Sequence, residues 1–488
     1  MVAFNNIPGN ILVPFFYAEI NSGGSPYEGQ SRLLLVGPKL AAGSATADVP
    51  AGPIGSQADA NALFGAGSVL AAMYAKARRN APFQPIWALP LADPAGTAAE
   101  GTIVCTAPGV TGVGVLEICG VRITLQVNAA DNATTVGNSV RDAINAAGLP
   151  ISATAATGTV TLTFRHVGTI GNDVLVRLLT DEPNILVGHA TITQLSGGTG
   201  VPDLTNALAN LGDDEFDWIA SPYADAVSLN TVRDFLSDTS GRWSPTKQLY
   251  GHYLTVKFDT LSGLAALGDS RNDQHVSIMG SKLASSPPWE WAAALGGQCA
   301  MHLTDAPELS RPLQTLLLDG IKPPPSRADW WDIDDRQALY VDGISAARVG
   351  NDGLVRIDRV VTTYQETAAG AADATYRDIE TMAQLMFSVR YIRTFVQNRH
   401  SRQALADDNP SNLQEITTPQ DIRDTLVHAY SDLVALGVLE KADLFAQFVQ
   451  VERDPNNATR VNAYLPVDVV NQLRVFAANV TTFLQYAA

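Results

Sequence analysis

Arg32-Leu33-Leu34-Leu35-Val36-Gly37-Pro38 is an uninterrupted apolar run closed by Gly-Pro. A run of this length with no polar alternation reads as a strand buried on both faces, which calls for a sheet with covering helices. Working outward, Ser56 precedes a helical pattern from Gln57 to about Arg79, with Ala60, Leu63, Phe64, Leu70 and Met73 at three-and-four spacing. Asp59 follows Ser56 by three positions, close to a capping box. Gln84 to Leu91 supplies the next apolar strand, and strand, helix, strand is the opening of a parallel α/β unit.

After Pro94 the texture changes to Gly, Ala and Thr until about Thr199, and period-two alternation replaces helical spacing. Val121 to Val127 and Val160 to Arg165 alternate apolar and polar residues, as half-buried strands do. Between them Thr134 to Ala147 reads as one helix, ended by Gly148 at a position suited to a left-handed residue. The stretch is a small β-rich module inserted into the α/β order. From Asp203 the alternation resumes: a helix through Leu211, a strand at Phe216 to Ala220, a helix from Asp225 to Leu236, and a strand at Lys247 to Val256. A helical stretch from Pro288 to Gly297 follows, and Pro323-Pro324-Pro325 marks a stiff connection. Ala338 to Tyr364 is hairpin-like around an Asn351-Asp352-Gly353 turn. A helix from Thr375 to Arg399 carries Ile379, Met382, Leu385, Met386, Val389, Ile392 and Val396 as one apolar stripe, with Arg377, Arg390, Arg393 and Arg399 off it. A second amphipathic helix spans about Pro419 to Leu436.

At 488 residues the chain has room for two or three domains, and the reading is a multi-domain α/β fold: a core with a mixed sheet plus an inserted β-rich module. Its formal charge is −17, and no Lys/Arg stripe could neutralise several phosphates, so nucleic-acid binding is disfavoured. Cys105, Cys119 and Cys299 are widely spaced and read as reduced thiols. No basic, then apolar leader opens the chain and no eighteen-residue apolar stretch occurs, so neither secretion by a signal peptide nor membrane insertion is expected.

The motifs of common catalytic machinery are missing. There is no Gly-x-x-x-x-Gly-Lys loop, and Gly109 to Gly114 lacks the lysine and reads as a turn. The seven histidines are scattered without metal-ligand spacing, so no metal and no cofactor are expected. Gly343-Ile344-Ser345 and Gly268-Asp269-Ser270 are only fragments of a nucleophile elbow. Asp332, Asp334 and Asp335 beside Trp330 and Trp331 read as a solvated loop rather than a carboxylate pair or sugar platform. The ends are distinctive. Ile7 to Ile20 is apolar, and Arg474 to Ala488 puts Phe476, Val480, Leu484 and Tyr486 on one strand face. Such segments need a sheet to join: that of a neighbouring copy, by strand addition, or an ordinary internal edge.

Leu63 to Ser68, Leu318-Asp319-Gly320-Ile321 and above all Arg359-Val360-Val361-Thr362-Thr363-Tyr364 resemble the tail sheath proteins of Mu-like contractile-tailed phages, and more distantly the sheaths of R-type pyocins and type VI secretion systems. Arg460-Val461-Asn462 with Leu465 to Asp468 is similar to the family's closing strand and final helix, and Gly168 to Asp173 to its small outward domain. The resemblance implies a non-enzymatic virion subunit, assembled in the host bacterial cytoplasm. It implies stacked hexameric rings around a tail tube, contraction, and contacts with baseplate and tail terminator proteins. It divides the chain into an N-terminal arm (1–30), an α/β sheath domain (31–96 and 200–325), the insert (97–199), a C-terminal polymerisation domain (326–472) and a C-terminal arm (473–488). Val13, Phe15 and Tyr17 at one end, and Phe476, Val480, Leu484 and Tyr486 at the other, become inter-subunit strand residues, with Arg359, Thr362, Thr363 and Tyr364 as the family motif. The Thr375 to Arg399 helix becomes a candidate for the tube-facing side. Deleting Arg474 to Ala488 is expected to leave a folded chain that cannot polymerise. The family's subtilisin-like domain shape sets a protease beside this reading, opposed by the lack of Asp, His and Ser motifs; the β-rich insert sets an adhesin beside it.

Overall fold

A computed structural model describes residues 32–482. Val13, Phe15, Tyr17, Leu484 and Tyr486 lie outside the described residues. The apolar run forms β1 (Leu33–Pro38), every residue of it buried. The expected single helix is two, α1 (Gln57–Phe64) and α2 (Val69–Asn80). Gly65 and Gly67 stand between them with φ of +87° and +78°, values that stop a helix, and Ser68 starts a new one by accepting from Ala71 N–H. Ser56 caps α1 as its spacing indicates. β2 (Ile86–Leu91) then pairs parallel to β1.

The segment that follows holds β3 (Ala98–Cys105), β4 (Gly112–Ile118), β5 (Val121–Val127), α3 (Ala133–Ala146), β6 (Ile151–Ala156), β7 (Thr159–Val167), β8 (Val176–Leu178) and β9 (Ala190–Ser196). They make two antiparallel sheets of their own, in the orders β6-β7-β3-β9 and β5-β4-β8, with α3 ended at Gly148, φ +66°. Thr97 and Thr199 exchange backbone hydrogen bonds at 3.3 and 3.1 Å, so the segment leaves and rejoins the chain at one point.

Returning, the chain adds α4 (Thr205–Ala209), β10 (Trp218–Ala220), α5 (Ala226–Leu236), β11 (His252–Phe258), α6 (Leu261–Asp269), β12 (Val276–Ser281) and α7 (Pro288–His302). Lys247 to Gly251, expected as strand, is instead a loop in which Gln248 and Tyr250 take φ of +52° and +55°. It wraps the buried Arg242, whose guanidinium donates to the carbonyls of Gly212, Asp214 and Tyr250. The three aspartates after the prolines do not form a loop: Asp332 caps α8 (Ile333–Val341) in a reciprocal capping box with Asp335. Neither tryptophan beside them forms an open platform, since Trp331 is buried and donates to Gly280 O at 3.0 Å, and Trp330 donates to Pro324 O at 2.9 Å. β13 (Ser345–Val349) and β14 (Val355–Arg359) form the hairpin, and they complete a seven-stranded sheet of order β14-β13-β12-β11-β10-β1-β2. All neighbours in it are parallel except β13 with β14. These two strands lie past residue 325, where the sequence reading closed the α/β domain.

α9 (Ile379–His400) starts four residues later than expected. Ile379, Met382, Met386 and Ile392 of its apolar stripe are buried as expected, but Val389 is exposed, and Glu380, Gln384, Ser388 and Arg390 off the stripe are buried too. β15 (Ala404–Leu405) and β16 (Ile416–Thr417) pair briefly, then α10 (Pro419–Ala435), α11 (Ala442–Phe448) and an antiparallel hairpin of β17 (Gln450–Arg453) and β18 (Val461–Tyr464) follow. No final helix follows β18 among the described residues. The larger of two compact units takes residues 32–387, 433–441 and 467–482, and the smaller takes 388–432 and 442–466. In the smaller unit Tyr430 and Phe445 stack at 3.8 Å between centroids.

Candidate functional site

The most specific sequence motif is a junction of buried hydrogen bonds. Val361 N–H donates to Ser345 Oγ, which in turn donates to Val361 O, each at 2.9 Å, so the chain leaving β14 is stitched to β13. Thr362 Oγ donates to Tyr376 O at 2.7 Å and Thr362 N–H to Arg377 O at 2.7 Å. Thr363 faces the other way: its hydroxyl donates to Asp273 O and accepts from Asp273 N–H, both at 3.0 Å, just before β12. Tyr364 donates its hydroxyl to Asp373 at 2.7 Å and meets Tyr376 edge-on at 5.4 Å. The two threonines therefore join the sheet edge to the approach of α9. Arg359 completes the junction with a bidentate grip on Asp378, both bonds at 2.8 Å, one residue before α9 begins.

The same carboxylates hold the other end of the chain. Arg474 Nη2 reaches Asp378 Oδ1 at 3.1 Å and Glu380 Oε2 at 2.6 Å. Glu380 is fully buried, and its second oxygen accepts from Leu313 N–H at 2.9 Å. Burial pushes the Glu380 carboxyl above its ordinary pKa and the Arg474 charge opposes that rise. Upstream, residues 467–473 are docked on the larger unit. Val470 N–H donates to Val438 O at 3.1 Å, Gln384 Nε2 to Val470 O at 2.8 Å, and Gln314 Nε2 to Leu473 O at 3.2 Å. Beyond Arg474 the character reverses, with Val475, Phe476 and Val480 exposed to 79%, 84% and 84%. Arg474 is thus tied to the body, and the exposed apolar residues begin at Val475. The described arm residues make no strand within their own chain.

The structure brings Arg359, Thr362, Thr363 and Tyr364 together with Asp378 and Asp273. Sequence reasoning missed Arg474 and Glu380 as partners because 94 positions separate them. It also missed a His252–Ser277 pair, hydrogen-bonded at 2.9 Å on adjacent strands. Both residues are fully buried, and burial holds the His252 imidazole well below its ordinary pKa, so this pair is a neutral core contact sealed from any substrate. Cys105, Cys119 and Cys299 are unpaired and buried. No cluster of metal-ligating side chains and no helix long and apolar enough to cross a membrane occurs among the described residues.

Family models described as the phage tail sheath protein central domain and the phage tail sheath C-terminal domain match residues 197–363 and 371–483. Over 491 aligned residues the chain is 33% identical to the Mu-like prophage FluMu tail sheath protein of Haemophilus influenzae, covering 98% of each. Among solved structures, the sheath tail protein of Desulfitobacterium hafniense aligns with a TM-score of 0.49 at 12% identity, covering 94% of this chain and 97% of that one. The helical sheath of the anti-feeding prophage in its contracted state aligns at 0.45 and 13%, covering 97% and 99%.

Proposed function

The chain belongs to the phage tail sheath family, and from that premise we propose that it polymerises as stacked hexameric rings around a tail tube and contracts to drive the tube through the host envelope. It is a structural component of a contractile virion tail. In this reading the subunit contacts the tube, a baseplate and a tail terminator, assembles in the host cytoplasm and consumes no nucleotide. Each step draws on a lattice whose contracted form has more favourable interfaces, multiplied over many copies.

The observation that carries it is the C-terminal arm. An apolar segment that begins at a buried ion pair and then runs outward with its large side chains in water is unstable alone, and a neighbour's sheet edge would both cover it and satisfy its backbone. The β17–β18 hairpin offers such edges, because a two-stranded sheet leaves an unpaired row on each side. We assign Phe476, Val480, Leu484 and Tyr486, with Val13, Phe15 and Tyr17 at the other end, to strands added between copies. Removing Val475 to Ala488 is expected to leave the melting temperature unchanged and abolish long cylinders in negative-stain images. Cylinders as abundant as those of the full chain would refute the assignment.

A further inference from the structure

Arg377 sits between the motif and α9, and its side chain differs from those around it. Arg336, Arg356, Arg359 and Arg474 each hold a carboxylate of this chain within 3.1 Å. Arg377 has none among the described residues, and its Nε is buried without a hydrogen-bond partner. Its backbone is anchored, N–H to Ala374 O at 3.2 Å and C=O to Thr362 N–H at 2.7 Å, while no carboxylate of its own chain meets the guanidinium. It lines an open cavity of about 280 Å³ with Tyr340, Val341, Tyr364, Gln365 and Asp373.

No nearby acid is available to it. Asp378 is taken by Arg359 and Arg474. Asp373 accepts from Tyr364 OH at 2.7 Å, Thr375 N–H at 3.0 Å and Thr375 Oγ at 2.7 Å, bonds that hold its carboxyl below the ordinary range. The Tyr340 hydroxyl is spent on Asp358 at 2.6 Å. The cavity thus presents the Arg377 guanidinium, two tyrosine rings and the exposed methyls of Val341, with the Asp373 carboxylate turned to its own hydrogen bonds at the wall, a charge that an incoming acid has to enter on the Arg377 side to avoid. Arg and Tyr on a concave, partly apolar face is the composition in which binding energy concentrates at protein interfaces. The complementary charge is plentiful on other copies, since each chain carries 49 acidic against 32 basic residues.

We propose that this cavity is a docking site for a carboxylate side chain of a second copy of the chain, received by the Arg377 guanidinium between Tyr340 and Tyr364. The proposal rests on the polymerisation reading above. An incoming carboxylate would pair the guanidinium in a partly dry setting, where a forked charge pair fixes register as well as contributing affinity.

The test measures the concentration at which the full-length chain sediments as cylinders, at fixed ionic strength. If the wild-type chain forms no polymer, the polymerisation reading fails. If it does, Arg377→Glu should raise the critical concentration at least about tenfold with the monomer's melting temperature unchanged, because no ion pair within the chain is lost. Arg377→Lys should fall between, keeping the charge and losing the fork. Should Arg377→Glu melt low, Arg377→Gln replaces it, with an expected rise of about threefold or more. Wild-type critical concentrations for both variants overturn the proposal. So does normal cylinder formation with loss of tube enclosure only, which would place another protein's carboxylate in the cavity.

Discussion

Arg474 and Glu380 illustrate what one buried pair can decide. Neutralising Arg474 alone strands a carboxylate in the interior, and Arg474→Met is expected to cost about 3–5 kcal/mol in urea denaturation. The double variant Arg474→Met with Glu380→Gln should recover most of that loss, because neither charge is then left alone; no recovery would show that the pair is not what Glu380 needs. Asp173 is a second residue-level test. Burial raises its carboxyl to about 6, with Asp259 adding to the rise and Lys257 opposing it. An acid whose folded pKa exceeds its unfolded value binds more protons folded, so it loses stability as pH climbs from about 4 to about 6. Asp173→Asn should therefore be stabilising at pH 7 by on the order of 2 kcal/mol and neutral near pH 4, read as the difference between the two chains' denaturation curves. Neither residue advertised itself in the sequence, where each is one acid or base among many, partnered by residues far along the chain.

Elements whose cause is local were legible before the fold was known. The unbroken apolar β1, the alternating β5 and β7, the Ser56 cap, the Gly148 stop and the Asn351-Asp352-Gly353 turn all sit where their residues put them. What failed had two causes. The α1–α2 break lies at Gly65 and Gly67, local breakers that the apolar spacing passes through, whereas α9 buries Glu380 and Gln384 because Ser310, Leu313, Val470 and Arg474 come to meet them from far along the chain. The loop of residues 247–251 gives up its strand pattern to wrap Arg242. The α6–α8 contact is another meeting that no local pattern announces: a Cβ on Gly268 would stand 1.9 Å from Asp342 O, backbone against backbone. Gly268→Ala should cost about 3 kcal/mol or more, since one element has to shift to admit the methyl, and a loss below about 1 kcal/mol would mean that the two helices are not packed this closely.

At the scale of the whole molecule, the insert is bound into the core as well as strung from it. Glu117 on β4 receives Lys322 of the core at 2.6 Å and Arg177 of the insert at 2.8 Å. His166 on β7 accepts from the first N–H of α2 at 3.2 Å and meets Asp93 at 2.9 Å, and Phe164 packs on Trp289 at 5.5 Å. Calorimetry of the monomer should accordingly show the insert and the seven-stranded sheet melting in one transition; a separate, earlier transition lost on deletion of residues 97–199 would contradict this. Composition changes texture at Pro94 and again at about Thr199, but the cross-contacts were invisible to it. The Arg474 fastening has a consequence in mechanical terms. A pull applied along residues 475–482 meets the Arg474 side chain first, and through it Asp378 and Glu380 at the head of α9. The segment behind it cannot peel away one hydrogen bond at a time until both ion pairs give. The arm should behave as a tether with a yield point, firm below a threshold force and released abruptly above it.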